Sequence, residues 1–124
     1  MLPNVEEKGL RIERLDMRPS NGLNKYKLNL LLTQIVEKHE YVQGRVKINL
    51  VGREDDGEKQ YSLTDLSVAN KDSIRFRFRY FQNISSELVV PEGFEPSKIM
   101  IVAQSSGRNS QRLEKKFDWQ VGGD

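Results

Sequence analysis

Arginines alternate with aromatic residues in Arg75-Phe76-Arg77-Phe78-Arg79-Tyr80-Phe81, the stretch of this chain whose residue types best suit chemistry. On a β-strand, residues two apart share a face, so Arg75, Arg77 and Arg79 form a guanidinium ladder. Such a ladder can bind phosphates or acidic glycans through forked hydrogen bonds. Rings interleaved with basic residues also suit stacking of single-stranded bases. The alternation argues against that use, because it sends Phe76, Phe78 and Tyr80 to the face opposite the charges. The plainer arrangement is expected: rings in the core, and solvated arginines paired with carboxylates on a neighbouring strand.

Other chemistry finds less support. His39, the only histidine, sits in Glu37-Lys38-His39-Glu40. A metal site there would have to borrow ligands from scattered acids, so an exposed loop histidine is expected. Glu54-Asp55-Asp56-Gly57 has the carboxylates of a calcium loop without EF-hand spacing, and reads as a solvated hairpin tip. There is no Gly-x-Ser-x-Gly elbow and no glycine-rich phosphate loop. No pair of Asp or Glu is singled out as acid and base. The chain has no cysteine, which excludes disulfides, thiol nucleophiles and cysteine-ligated metals. Neither catalysis nor a cofactor nor a metal is expected. Trp119 alternates with Phe117 and Leu113 and reads as a core anchor.

The elements that must carry these residues are strands. Period-2 alternation runs through Gly9–Glu13, through Lys25–Leu32, through Arg45–Leu50, through Ile74–Tyr80 and through Leu113–Trp119. Leu15 and Met17 shift parity against Leu10 and Ile12, which predicts a bulge or bend. Pro19-Ser20-Asn21-Gly22 predicts a turn, and Asp55-Asp56-Gly57 a hairpin leading to a short strand at Lys59–Leu63. Leu88–Val90 reads as strand, Pro91–Pro96 as a turn, Ile99–Ile101 as strand and Ser105–Ser110 as a polar loop. Leu28, Leu31, Leu32, Ile35, Val36 and His39 also fit helical spacing, so residues 24–42 admit an amphipathic helix. Alternation that begins before Leu28, with no cap ahead of it, favours a strand to about Thr33 followed by a loop.

At 124 residues one domain is expected, spanning 9–120, with a polar start at 1–8 and a tail at 121–124. Seven to eight short strands with almost no helix predict an all-β, antiparallel, immunoglobulin-like β-sandwich without the antibody cysteines. Twenty basic against eighteen acidic residues leave a formal charge of +2. That excess is too small and too evenly spread to announce nucleic acid or an anionic membrane. No apolar run reaches the length of a membrane helix, and Met1–Lys8 lacks the apolar core of a secretory signal. Taken with Met1 as the native start, the chain would be cytoplasmic.

One resemblance bears on location. Phe78-Arg79-Tyr80-Phe81-Gln82-Asn83-Ile84, then Leu88-Val89-Val90-Pro91-Glu92-Gly93-Phe94-Glu95-Pro96, then Phe117-Asp118-Trp119 resemble an uncharacterised family of bacterial, chiefly proteobacterial, inner-membrane proteins. Gly9-Leu10-Arg11-Ile12 and Leu30–Gln34 fit the same pattern. In that family a short cytoplasmic start, one transmembrane helix and a coiled coil precede this domain. The resemblance therefore implies that residues 1–124 are the C-terminal, periplasmic part of a membrane-anchored protein, with Met1 added and the anchor outside this chain. It supplies no catalytic residues.

The function expected is a non-catalytic interaction module that binds another envelope protein or itself. Its candidate contact residues are Arg75, Arg77 and Arg79, with Glu92, Phe94 and Glu95 in the Pro91–Pro96 turn. The alternative is a module for an anionic polymer, such as an acidic cell-wall glycan, held by the arginine face; nucleic acid is not expected. Strand addition at an exposed edge is a further route to a partner, and Lys25, Lys27, Arg45 and Lys47 are candidates to protect edges from it.

Overall fold

A computed structural model describes residues 9–35, 40–66, 73–107 and 110–122. The expectations for the polar start at 1–8, for His39 and for the last two residues of the tail concern positions outside these. Period-2 patterning becomes eight strands: β1 (Gly9–Pro19), β2 (Lys25–Ile35), β3 (Val42–Glu54), β4 (Gly57–Ser62), β5 (Ile74–Phe78), β6 (Phe81–Val89), β7 (Phe94–Ser105) and β8 (Arg112–Asp118). A single turn of helix, α1 (Leu63–Leu66), follows β4. The strands form an antiparallel sandwich. One sheet has the order β1-β2-β6; the other runs β4-β3-β7-β8, with β5 also paired to β3. β4 takes the C-terminal half of β3 and β5 the N-terminal half of the same edge.

The choice between strand and helix is decided by burial over residues 25–35, while residues 36–39 of the expected loop lie outside the described ones. Leu28, Leu30 and Leu32 are all wholly enclosed, the period of a strand with one wet face. They meet Ile84 and Leu88 of β6 and Leu10, Ile12 and Met17 of β1 in one core. Val46, Ile48 and Leu50 of β3 and Ile99, Ile101 and Ala103 of β7 supply the other half. Among the described residues the surface between the sheets is apolar except for the buried Ser105, and its removal from water holds the layers together.

The parity slip in β1 is a bulge. Ile12 pairs with Leu32 but Arg14 with Leu31, which leaves Glu13 as the extra residue and returns Met17 to the core face. A second bulge lies in β7, where Val51 faces Lys98 and Gly52 faces Pro96, so Ser97 stands unopposed. Its hydroxyl donates to the Val51 carbonyl at 3.1 Å. β7 presses close here: a Cβ at Gly52 would overlap the Glu95 carbonyl. The β3–β4 hairpin closes through Asp55, whose φ of 57° needs the left-handed tolerance of Asp or Asn.

Three expectations change. Strand β6 begins at Phe81, well before Leu88, and β7 already starts at Phe94 inside the expected turn. Lys25, Lys27 and Arg45 lie where β2 and β3 have a strand on either side and guard no edge, and Lys47 falls in the gap between β5 and β4 along β3. Helix α1 follows from Ser62-Leu63-Thr64-Asp65, in which the Asp65 carboxylate accepts from the Ser62 hydroxyl at 3.2 Å and reaches back towards its N–H, a capping-box arrangement. Its buried Leu63 and Leu66 close the core beside β3 and β6.

Candidate interaction surface

Strand β5 sorts its side chains as its alternation requires. Phe76 and Phe78 are buried, with ring centroids 5.8 Å apart, and Arg75 and Arg77 face solvent. The antiparallel register then sets Arg75 opposite Arg45 and Arg77 opposite Gln43. The expected pairing with carboxylates on a neighbouring strand therefore does not form: among the described residues, none of Arg45, Arg75, Arg77 and Arg79 makes an ion pair. Arg45 donates to the Ser73 hydroxyl at 3.2 Å instead. Two arginines directly opposite on adjacent strands repel, at a cost of about 0.2–1 kcal/mol. Gln43, Gln82 and Gln104 border the same shallow depression as Arg45, Arg75 and Arg77.

The ladder continues onto a ring. The Arg77 guanidinium carbon lies 3.9 Å from the centroid of Tyr41, and that of Arg79 lies 5.1 Å from the same ring. Tyr80 departs from expectation: β5 ends at Phe78, the chain bends through Arg79 and Tyr80 into the other sheet, and Tyr80 is 58% exposed instead of in the core. The bend is held by side chains acting on backbone. Gln34 Nε2 donates to the carbonyls of Glu40 at 2.6 Å and Arg79 at 2.7 Å, and Gln82 Oε1 accepts from the Arg77 N–H at 2.9 Å. Three segments are thereby fixed at one end of the sandwich. Phe81, also exposed, begins β6 and faces outward from the other sheet, opposite Thr33.

The acidic candidates lie at the other end. β7 runs antiparallel to β3, with Phe94 beside Glu54 and Ser105 beside Gly44. Glu92 and Glu95 are thus separated from Arg77 by about ten strand residues, on the order of 30 Å. The two groups cannot form one contact surface. Phe94 is not a surface residue at all, being 5% exposed with its ring edge-on to Tyr61 at 4.9 Å. It lies buried because β7 already begins there and sends its ring inward. Glu95 sits in register with Arg53, and Glu92 remains an exposed turn residue.

This chain belongs to a family of unknown function, DUF6776. The model of that family matches residues 1–101, which take in both candidate regions and Tyr41. No curated protein and no solved structure matches the chain.

Two carboxylates have defined surroundings near that other end. Glu54 accepts from the Tyr61 hydroxyl at 2.5 Å, which holds the phenol above its ordinary pKa. Glu87 accepts from the Ser20 hydroxyl at 2.8 Å and faces Lys25 at 3.7 Å; the hydroxyl first, then the ammonium, hold its carboxyl below the usual range. Among the described residues no three His, Asp or Glu side chains gather as a metal site would require. No described helix is long and apolar enough to cross a membrane. Trp119 packs against the core with its ring edge-on to Tyr26, at 5.2 Å.

Tyr41 is the surface residue that sequence reasoning missed, and Arg45, read there as an edge guard, was not placed with the ladder. Tyr41 precedes its strand and shows no pattern of its own, and Arg45 becomes notable only when the register places it against Arg75.

Proposed function

We propose that the domain is a non-catalytic protein-interaction module, and that its contact surface is the end formed by Tyr41, Arg77, Arg79 and Tyr80, flanked by Arg45 and Arg75. The observation that carries this reading is the stack of Arg77 and Arg79 on an exposed Tyr41. Tyrosine and arginine are the side chains that most often anchor protein interfaces. Here they are held before binding by the Gln34 and Gln82 bonds, which lowers the ordering cost of association. The partner is an envelope protein that presents carboxylates to the four arginines. The resemblance carried by Phe78–Ile84 and Phe117–Trp119 supports a periplasmic domain of a membrane-anchored protein. The order β1-β2-β6 against β4-β3-β7-β8 supports the immunoglobulin-like form of the sandwich.

Affinity capture from crosslinked bacterial envelopes tests the reading, with R75S/R77S/R79S run beside the unaltered protein. A defined envelope protein retained by the unaltered chain and lost from the variant is the expected result. Equal capture by both would overturn it.

One observation favours a second reading, a module for an acidic cell-wall glycan. The Arg45–Arg75 pair is a repulsive arrangement that a bound anion would relieve. Glycan binding that weakens steeply with added salt and vanishes in the triple-serine variant would support it; salt-independent capture of a protein would count against it.

A further inference from the structure

The sandwich has strand edges at β1 and β6 in one sheet and at β4, β5 and β8 in the other. An unpaired edge invites another strand, and proteins blunt edges with charge, shortness or cover. Four of these five are blunted. β1 carries Arg11, Glu13, Arg14, Asp16 and Arg18. Its backbone is also covered: the Gln111 side chain accepts from the Leu10 N–H, Lys115 donates to the Ile12 carbonyl, and the Gly122 N–H donates to the Met17 carbonyl. β8 carries charge at Arg112, Glu114, Lys115, Lys116 and Asp118. β4 and β5 are six and five residues long, with charges at Glu58 and Lys59 and at Arg75 and Arg77.

β6 is the least blunted, although α1 packs beside it. It is nine residues long, Phe-Gln-Asn-Ile-Ser-Ser-Glu-Leu-Val, without lysine, arginine or proline. Its one charge, Glu87, is already engaged by Ser20 and Lys25. Among the described residues, β2 supplies its only backbone hydrogen-bond partners. The exposed apolar side chains on its outer face are Phe81 near one end, 62% exposed, and Val89 at the other, 41% exposed.

We propose that β6 pairs antiparallel with β6 of a second copy of this chain, about a two-fold axis through Ser85. The strand is self-complementary in that register. Phe81 faces Val89 of the second copy, Asn83 faces Glu87, and Ser85 faces its own counterpart. Both exposed apolar residues of each copy gain a cross-strand partner, and no like charges meet. The two three-stranded sheets become one continuous six-stranded sheet. A shift of the pairing by two residues would break the Phe81–Val89 match, so the side chains specify the register.

The chain has no cysteine, so introduced thiols report the register against a clean background. The test uses sedimentation of the full chain together with oxidation of single-cysteine variants. The unaltered protein is expected to show a concentration-dependent monomer–dimer equilibrium. S85C is expected to form an intermolecular disulfide, since directly opposed residues lie within disulfide reach, while N83C, far from its own counterpart, does not. F81K/V89K sets lysines opposite one another and is expected to weaken the dimer by about tenfold or more. F81K/V89E sets each introduced lysine against an introduced glutamate and is expected to restore dimerisation. All these positions are exposed, so folding is retained, and circular dichroism verifies it. A chain monomeric at every concentration would overturn the proposal, as would S85C and N83C crosslinking equally or F81K/V89K dimerising like the unaltered protein. The S85C and N83C variants lie away from Tyr41, Arg77, Arg79 and Tyr80, so the crosslinking result is independent of the interaction surface at that end.

Discussion

Tyr41 joins two arginines that would otherwise repel each other, and it does so in solvent. A cation over an exposed ring contributes about 0.5–1 kcal/mol. Y41A is therefore expected to cost about 1 kcal/mol or less in urea denaturation while abolishing partner capture; a large loss of stability would mean that the ring is structural instead. Phe94 is the converse case. Placed by sequence among the contact residues, it is enclosed against Tyr61, so F94A should cost about 3–5 kcal/mol and leave capture by the folded fraction intact. Glu87 links stability to pH. Its folded pKa is depressed by Ser20 and Lys25, so its contribution is complete above the ordinary glutamate range and is lost as pH falls through the depressed value. E87Q should remove that part of the acid dependence: thermal melts of the two proteins should differ at neutral pH and converge in acid. Parity correctly separated Phe76 and Phe78 from Arg75 and Arg77. It failed at Tyr80 because the strand ends at Phe78, and alternation in sequence does not show where a chain bends.

At the scale of elements, the bulges do the positioning. Glu13 returns Met17 to the core, and the slip from Leu10 and Ile12 to Leu15 and Met17 made that legible in the sequence. The Ser97 bulge was not legible, because Pro96 read as the end of a turn and the strand was expected only from Ile99. It brings the Glu95 carbonyl onto Gly52, a position where only glycine fits without displacement. G52A should destabilise the domain by about 1–3 kcal/mol in urea denaturation, through overpacking against backbone. Cross-strand register is the other quantity that sequence conceals. Alternation put Arg75 and Arg77 on an outer face, but which residue lies opposite depends on where β5 docks along β3. That docking replaces the expected carboxylate partners with Arg45 and Gln43.

For the whole molecule, the antiparallel path of β3 and β7 sorts the candidate contact residues by end. The arginine–tyrosine stack, the Arg79–Tyr80 bend and Gln34 lie at one end; the Asp55–Asp56 hairpin and Glu92 lie at the other. The sandwich architecture was legible because eight strands with one wet face repeat one simple signal. The separation of Arg77 from Glu95 was not, because it depends on strand direction and partner choice, which no local pattern encodes. Whether the Tyr41 end meets a protein partner is settled by site-specific photocrosslinking in bacterial cells, with a photoreactive residue placed at position 41 and, as a control, at Asp56 on the opposite end. A discrete protein adduct is expected from position 41, lost when Arg77 and Arg79 are changed to serine, with none from position 56. Adducts from position 56 alone, or the same adducts from both positions, would overturn the proposed surface.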